Sequence, residues 1–348
     1  MSSKLLEVTD LKTYFPVRKG LLRRTVGHIR AVDGVSFAIR RGQTLGLVGE
    51  SGCGKTTVAR TIVRLIPATA GRVVFNEVDV LSADKNKLCQ LRKDISLIFQ
   101  DTYGSLNPRM TVGSIIGEPL KVHRAATNGP CLRRGKLVPA KAGITEQVVA
   151  LLSKVGLSGD HINRYPHEFS GGQRQRIGIA RALALAPKLI ICDEPVSTLD
   201  ISIAAQILNL LKDLQQESGL TYLFIAHDLT LVDFFCDVVA VMYMGRIVEQ
   251  ASAEELCRNP LHPYTRALMS AIPQIGGCPR HRRAASGCGI PSGLNPSVGC
   301  TFGPRCSLWL GHPCSGAGPD CLSQMPPLVE SSDRKGHFVA CWRVSVPA

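Results

Sequence analysis

Apolar residues in this chain come in short runs whose period changes along the sequence. Thr44-Leu45-Gly46-Leu47-Val48, Leu189-Ile190-Ile191-Cys192 and Thr221-Tyr222-Leu223-Phe224-Ile225-Ala226 are nearly continuous, as strands buried on both faces of a parallel sheet are, and Ile95-Ser96-Leu97-Ile98-Phe99 is a further apolar stretch. Elsewhere the period is helical: Val58, Ile62, Leu65 and Ile66 share one face, and so do Ile177, Ile179, Ala180, Leu183 and Ala184, with Arg174, Arg176 and Arg181 left to solvent. Val8 to Arg40 is β-rich, and Met244-Gly245-Arg246-Ile247-Val248-Glu249 reads as a hairpin closing the core. The pattern predicts an α/β fold, a sheet core with an antiparallel β flank and a helical insertion.

Composition narrows the class. At 348 residues and 45% hydrophobic content the chain can bury a sizeable core. Its most apolar stretch, near Val238 to Met244, is far shorter than the roughly 18–20 residues that cross a bilayer and is expected to be a strand. Lys4, Glu7 and Asp10 interrupt any secretory leader, which predicts a cytoplasmic protein. The net charge of +14 raises nucleic acid as a partner, but the clusters Arg18-Lys19 with Arg23-Arg24, Arg133-Arg134 and Arg280-His281-Arg282-Arg283 are short and scattered. With aromatic residues at 5%, base-stacking platforms are not expected; an anionic inner leaflet or a plain solvated surface fits better. Lys121 to Ile144 reads as a loop extension within the helical part, and from about Ala271 a Gly-, Pro- and Ser-rich tail begins.

The sharpest chemistry lies at Gly49-Glu50-Ser51-Gly52-Cys53-Gly54-Lys55-Thr56-Thr57, which fits the phosphate-loop pattern and stands between the strand ending at Val48 and the helical face of Val58. Glycines let backbone N–H groups turn toward a nucleotide's phosphates, Lys55 reaches the outer ones, and Thr56 offers its hydroxyl to Mg²⁺. ATP or GTP binding follows. Asp193 and Glu194 end an apolar run, as acids delivered by a buried parallel strand do; one suits the metal and the other the attacking water. Cys53 and Cys192 read as packing residues.

Phe169-Ser170-Gly171-Gly172-Gln173-Arg174-Gln175-Arg176 resembles the signature of the ATP-binding-cassette (ABC) ATPases, with Phe where many relatives have Leu. The resemblance implies a P-loop NTPase core with a RecA-like mixed sheet, ATP and Mg²⁺ as ligands, and roles for further residues. Asp193, with Thr56 and Gln100, belongs to the Mg²⁺ shell. Glu194 polarises the attacking water, Gln100 marks the glutamine loop, His227 is the switch histidine, and Asp200 ends the Ser197-Thr198-Leu199-Asp200 loop, where relatives more often have Ala second. Phe15 is the candidate to stack on adenine, with Tyr14 as the alternative. Ser170, Gly171, Gly172 and Gln173 serve the nucleotide of a second copy, so the chain is half of an ATPase.

Asn259-Pro260-Leu261-His262-Pro263-Tyr264-Thr265-Arg266-Ala267-Leu268 and Tyr165-Pro166-His167-Glu168 resemble the oligopeptide and dipeptide branch of the importers. That likeness implies an ATPase domain over 1–258, with a helical subdomain at about 101–180, and a Cys-rich extension over 259–348. It further implies a peripheral protein on the cytoplasmic face of the inner membrane. Its partners are then a second ATPase, either another copy of this chain or the homologous but non-identical chain with which relatives commonly pair, two transmembrane permeases and, indirectly, an extracytoplasmic substrate-binding protein, with no nucleic acid. Peptide is the substrate, nickel and glutathione being alternatives in the branch, and a soluble ABC ATPase acting on nucleic acid or ribosomes is the alternative outside it. Cys300, Cys306, Cys314 and Cys341 resemble the cysteine pattern closing many chains of the branch, for which a [4Fe-4S] cluster, zinc, reduced packing thiols and disulfides are all readings; Cys278, Cys288 and Cys321 lie outside that pattern.

Overall fold

Parallel register decides where the loops of interest leave the fold. The computed structural model describes residues 3–20, 24–125, 143–271, 299–310, 321 and 323–345. In chain order its strands are β1 (Lys4–Lys19), β2 (Arg24–Arg40), β3 (Thr44–Val48), β4 (Ala70–Phe75), β5 (Val78–Asp79), β6 (Ile95–Ile98), β7 (Leu189–Asp193), β8 (Thr221–Ala226), β9 (Val238–Tyr243), β10 (Arg246–Ser252), β11 (Val329–Ser331) and β12 (Arg334–Val339). An antiparallel sheet runs β2-β1-β4-β5, and a mixed sheet runs β11-β12-β10-β9-β3-β8-β7-β6. In the mixed sheet Val48 lies beside Ala226, Asp193 beside Ile225 and Ile98 beside Cys192. The segments after β3, β6, β7 and β8 therefore emerge together at one sheet edge.

The apolar runs are strands because both faces of this sheet are covered. Tyr222 and Phe224 of β8 point into one apolar cluster, Leu223 and Ile225 into the other, and each is completely buried. The helices are α1 (Lys55–Ile62), α2 (Lys85–Asp94), α3 (Thr102–Ser105), α4 (Val112–Ala125), α5 (Ile144–Lys154), α6 (Gly171–Leu183), α7 (Ile201–Ser218), α8 (Leu229–Phe235), α9 (Ala253–Arg258), α10 (Pro263–Ser270), α11 (Ser307–Leu310) and α12 (Trp342–Ser345). α4, α5 and α6 pack on one another through Ile115, Ile116, Val148, Leu152, Ile177 and Ile179 to form the helical part. The extension expected between Lys121 and Ile144 falls largely on residues 126–142, outside the described ones.

Two local expectations need correction. α1 stops at Ile62, so Leu65 and Ile66 do not prolong its apolar face: Arg64 adopts φ 54°, the Leu65 N–H turns back to the Arg60 carbonyl at 2.8 Å, and Leu65 is 54% exposed. Nor are the signature-helix arginines solvated. Arg174 donates to the Pro166 carbonyl (2.9 Å), Arg176 to that of Val155 (2.6 Å) and Arg181 to that of Ser105 (2.7 Å). A long guanidinium can reach a backbone carbonyl while its stem stays packed, and at Pro166 it adds to the bond already made by the Phe169 N–H.

The C-terminal residues join the main sheet. β12 pairs with β10 at Glu249↔Val339 and Gln250↔Phe338. Beneath this pairing, fully buried Glu249 accepts from the Leu261 N–H (2.6 Å) and the His262 N–H (3.0 Å) and hydrogen-bonds His337 Nε2 (2.7 Å). One carboxylate thus ties together β10, the chain entering α10, and β12.

Candidate functional site

The loop between β3 and α1 requires glycine at specific places. At Gly54, φ is 109° and a Cβ would sit 2.1 Å from the Ala31 carbonyl oxygen; at Gly49 it would sit 2.1 Å from that of Met242. No side chain fits either position. Inside the loop Lys55 is 4% exposed, and its Nζ donates to the carbonyls of Gly49 (2.7 Å) and Glu50 (3.0 Å), with Cys53 Sγ at 3.7 Å. These partners carry no formal negative charge, so the ammonium keeps its charge for an anion such as polyphosphate. The Cys53 thiol is pushed up by burial and stays a packing group.

Thr56 Oγ1 donates to Asp193 Oδ1 at 2.9 Å, joining the start of α1 to the end of β7. Asp193 is 1% exposed, and burial raises its carboxyl above the usual range despite the Thr56 hydrogen bond. A divalent cation would relieve that penalty, and a hydroxyl beside a carboxylate is the oxygen-donor pair Mg²⁺ takes.

One residue further, Glu194 holds φ 47°, a left-handed conformation that is strained for a residue with a Cβ. Its N–H donates to the Ile225 carbonyl (3.0 Å), and the Ser197 hydroxyl donates to its carbonyl (3.1 Å). The turn swings the carboxylate between two neighbours: Gln100 Nε2 donates to Oε2 at 2.9 Å, and His227 Nδ1 lies 3.4 Å from the same oxygen. Glutamate, glutamine and histidine come from three separate strand ends and meet only because β6, β7 and β8 are in register. Such a group can hold a water molecule against a phosphate.

The remaining candidates spread out. Ser170 caps α6 and is exposed; its hydroxyl accepts from the Gln173 N–H (3.4 Å), while Gln173 Oε1 accepts from the Ser170 N–H (3.0 Å). Gly171 is exposed and Gly172 is buried against Ile203. Among the described residues no hydrogen bond or ion pair joins 170–173 to the phosphate loop, and Asp200, at the start of α7, is exposed. Tyr14 is engaged elsewhere, donating to Asp33 Oδ1 at 2.5 Å with Arg30 over its ring, whereas Phe15 is 38% exposed.

Of the tail cysteines, Cys300, Cys306 and Cys341 line one cavity, and Cys321, which the sequence pattern left out, lines it as well. Cys314 lies outside the described residues. Burial raises the thiols of Cys300 and Cys341, the latter to about 11. Among the described residues no three His, Cys, Asp or Glu side chains stand close enough to hold a single ion. Sequence reading also missed Tyr264 and Arg305, both of which touch Glu50; no spacing rule links positions so far apart.

Comparison with known proteins adds two family matches, the ABC transporter family over residues 32–197 and the oligopeptide/dipeptide transporter C-terminal region over residues 248–314. Oligopeptide transport ATP-binding protein AppF of Bacillus subtilis is 48% identical over 97% of this chain and 96% of its own length. Oligopeptide transport ATP-binding protein OppF of Salmonella typhimurium is 48% identical over 98% and 96%. Dipeptide transport ATP-binding protein DppF of Escherichia coli is 43% identical over 99% and 96%. Among solved structures, cbiO1 from Clostridium perfringens, part of an ABC transporter complex, matches at 26% identity with a TM-score of 0.59, covering 74% of this chain and 91% of that one. An ATP-binding cassette solved as a dimer in a post-hydrolysis state with ADP and Pi matches at 26% identity and a TM-score of 0.59, covering 71% and 98%.

Proposed function

The chain belongs to the ABC transporter family, and on that footing we propose that it is the ATP-hydrolysing subunit of an importer of di- and oligopeptides. The observation carrying this reading is the meeting of Thr56 with Asp193 and of Gln100 with Glu194 and His227 at one sheet edge beside Lys55. Lys55 and the N–H groups of 49–57 hold the phosphates, and Phe15 stacks on adenine. Thr56, Asp193 and Gln100 would hold Mg²⁺, which would supply positive charge against that developing on the transferred phosphoryl group. Glu194 orients the attacking water, with Gln100 and His227 holding its carboxylate. Ser170, Gly171, Gly172 and Gln173, apart from this chain's own loop, serve the nucleotide of a partner, and Asp200 lies at that junction. ATP-driven pairing with a second, homologous ATPase then closes both sites, and hydrolysis reopens them.

Residues 1–258 form the ATPase domain, with a helical subdomain at about 101–180, and 259–348 the importer-type extension. Among the described residues no helix is long and apolar enough to cross a membrane, which accords with a peripheral subunit on the cytoplasmic face acting through two separate permeases. We place the permease contact at the cleft lined by Phe99, Pro119, His123 and Arg181, because Gln100, which follows Phe99 directly, matches the family's glutamine loop, and that loop faces the transmembrane partner. Nucleic acid has no place in this reading. Purified chain with its partner subunits is expected to hydrolyse ATP only with Mg²⁺, and cells lacking the chain to lose uptake of a labelled oligopeptide while keeping that of free amino acids. Undiminished peptide uptake in such cells would overturn the proposal.

For the tail we infer a [4Fe-4S] cluster held by Cys300, Cys306 and Cys341, with Cys321 competing with Cys314 for the fourth place. Shared lining of one cavity supports it, and ligation would stabilise thiolates that burial disfavours. Anaerobically purified protein is expected to be brown and to contain iron and acid-labile sulfide, and either Cys321→Ser or Cys314→Ser to bleach it. Colourless, iron-free protein removes the cluster.

A further inference from the structure

The phosphate loop is gripped from outside by the C-terminal segment. Glu50 is fastened at three points: its N–H donates to the Tyr264 hydroxyl (2.8 Å), its carbonyl accepts from Lys55 Nζ (3.0 Å), and its carboxylate receives both terminal nitrogens of Arg305. Nη1 reaches Oε2 at 3.0 Å and Nη2 reaches Oε1 at 2.9 Å. The pair is partly withdrawn from water, with side chains 21% and 31% exposed. Arg305 is aimed by rings: its Cζ lies 5.8 Å from the Tyr243 centroid and 5.9 Å from that of Phe302, and both rings pack on Tyr264. A planar guanidinium held this way fixes the direction of a carboxylate as an ammonium cannot.

Glu50 places a negative charge in a loop built to hold polyphosphate. Left alone, that charge opposes the ligand. We propose that Arg305 and Tyr264 are positioning residues of the nucleotide site, Arg305 cancelling the Glu50 charge and both fixing the first turn of the loop so that Lys55 and the remaining N–H groups converge on the phosphates. The inference rests on residues 49–57 being the nucleotide loop. It makes a residue 255 positions from Glu50 part of the site and gives the extension a direct hold on ATP affinity.

The test is MgATP titration and steady-state hydrolysis with the full chain and its partner subunits. Arg305→Ala is expected to raise Kd and KM for ATP roughly tenfold, as loss of a charge-assisted pair does, with kcat at saturation nearly unchanged. Arg305→Lys recovers part of the loss, and raising the salt narrows the gap to wild type. Combining Arg305→Ala with Glu50→Gln recovers the part of the affinity lost to the uncancelled charge, which a purely structural staple would not allow. Tyr264→Phe, which keeps the ring, raises KM by about threefold and covers the case in which Arg305→Ala fails to fold. An unchanged KM in folded Arg305→Ala and Tyr264→Phe, or no rescue by Glu50→Gln, overturns the proposal. Lys55→Ala binding ATP as wild type does would instead overturn the reading of the loop itself.

Discussion

Glu194→Gln is expected to lower ATP turnover by about 10²–10⁴-fold, the usual contribution of a positioned general base, while ATP-dependent association with the partner ATPase persists or strengthens. The substitution keeps shape and removes charge. The amide oxygen it introduces still accepts from Gln100 Nε2, which in the wild type lies 2.9 Å from the Glu194 carboxylate, and the strained turn keeps its backbone bonds to Ile225 and Ser197. What disappears is an anionic oxygen facing the water. Phosphate release measured beside size-exclusion chromatography in MgATP separates the two effects. Turnover near the wild-type rate would show that another group activates the water, with Gln100 and His227 the next to replace.

Glu249→Ala is expected to destabilise the fold by about 3–5 kcal/mol, the range for breaking a buried charged hydrogen-bond network, read as a lower urea midpoint. The site is completely closed, so no water replaces the lost oxygens for the Leu261 and His262 N–H groups or for His337. Glu249→Gln keeps one acceptor oxygen and should lose about 1–2 kcal/mol. Because Glu249 anchors the entrance to α10, which carries Tyr264, the Ala variant should also bind ATP more weakly at temperatures where it is still folded. A midpoint within about 0.5 kcal/mol of wild type, the range of ordinary surface changes, would mean that the network carries little of the fold.

Much of the fold was legible because its signals are local. The runs at 44–48, 189–193 and 221–226 read as strands buried on both faces, and the pattern at 177–184 as a packed helix, since burial depends on the period of apolar residues along a few turns or pleats. Period alone could not place the end of α1, where the left-handed Arg64 stops a face that Leu65 and Ile66 continue in the sequence. It also left Arg174, Arg176 and Arg181 to solvent, because the carbonyls that their guanidinium groups reach belong to other segments and leave no mark in the period.

The same division runs through the site. Local sequence was enough to establish a nucleotide-binding, hydrolytic chemistry, because a phosphate loop and a pair of acids after a strand each need contiguous residue types with defined backbone properties, and the resemblance of the signature helix narrowed the nucleotide to ATP. Folding had to bring the rest together: Glu194 stands between Gln100 and His227, Tyr14 is taken by Asp33 while Phe15 stays exposed, Cys321 shares the cavity of Cys300, Cys306 and Cys341, and Arg305 closes on Glu50. Each of these contacts joins residues from different elements, and sheet register and side-chain direction, not spacing along the chain, set their distances.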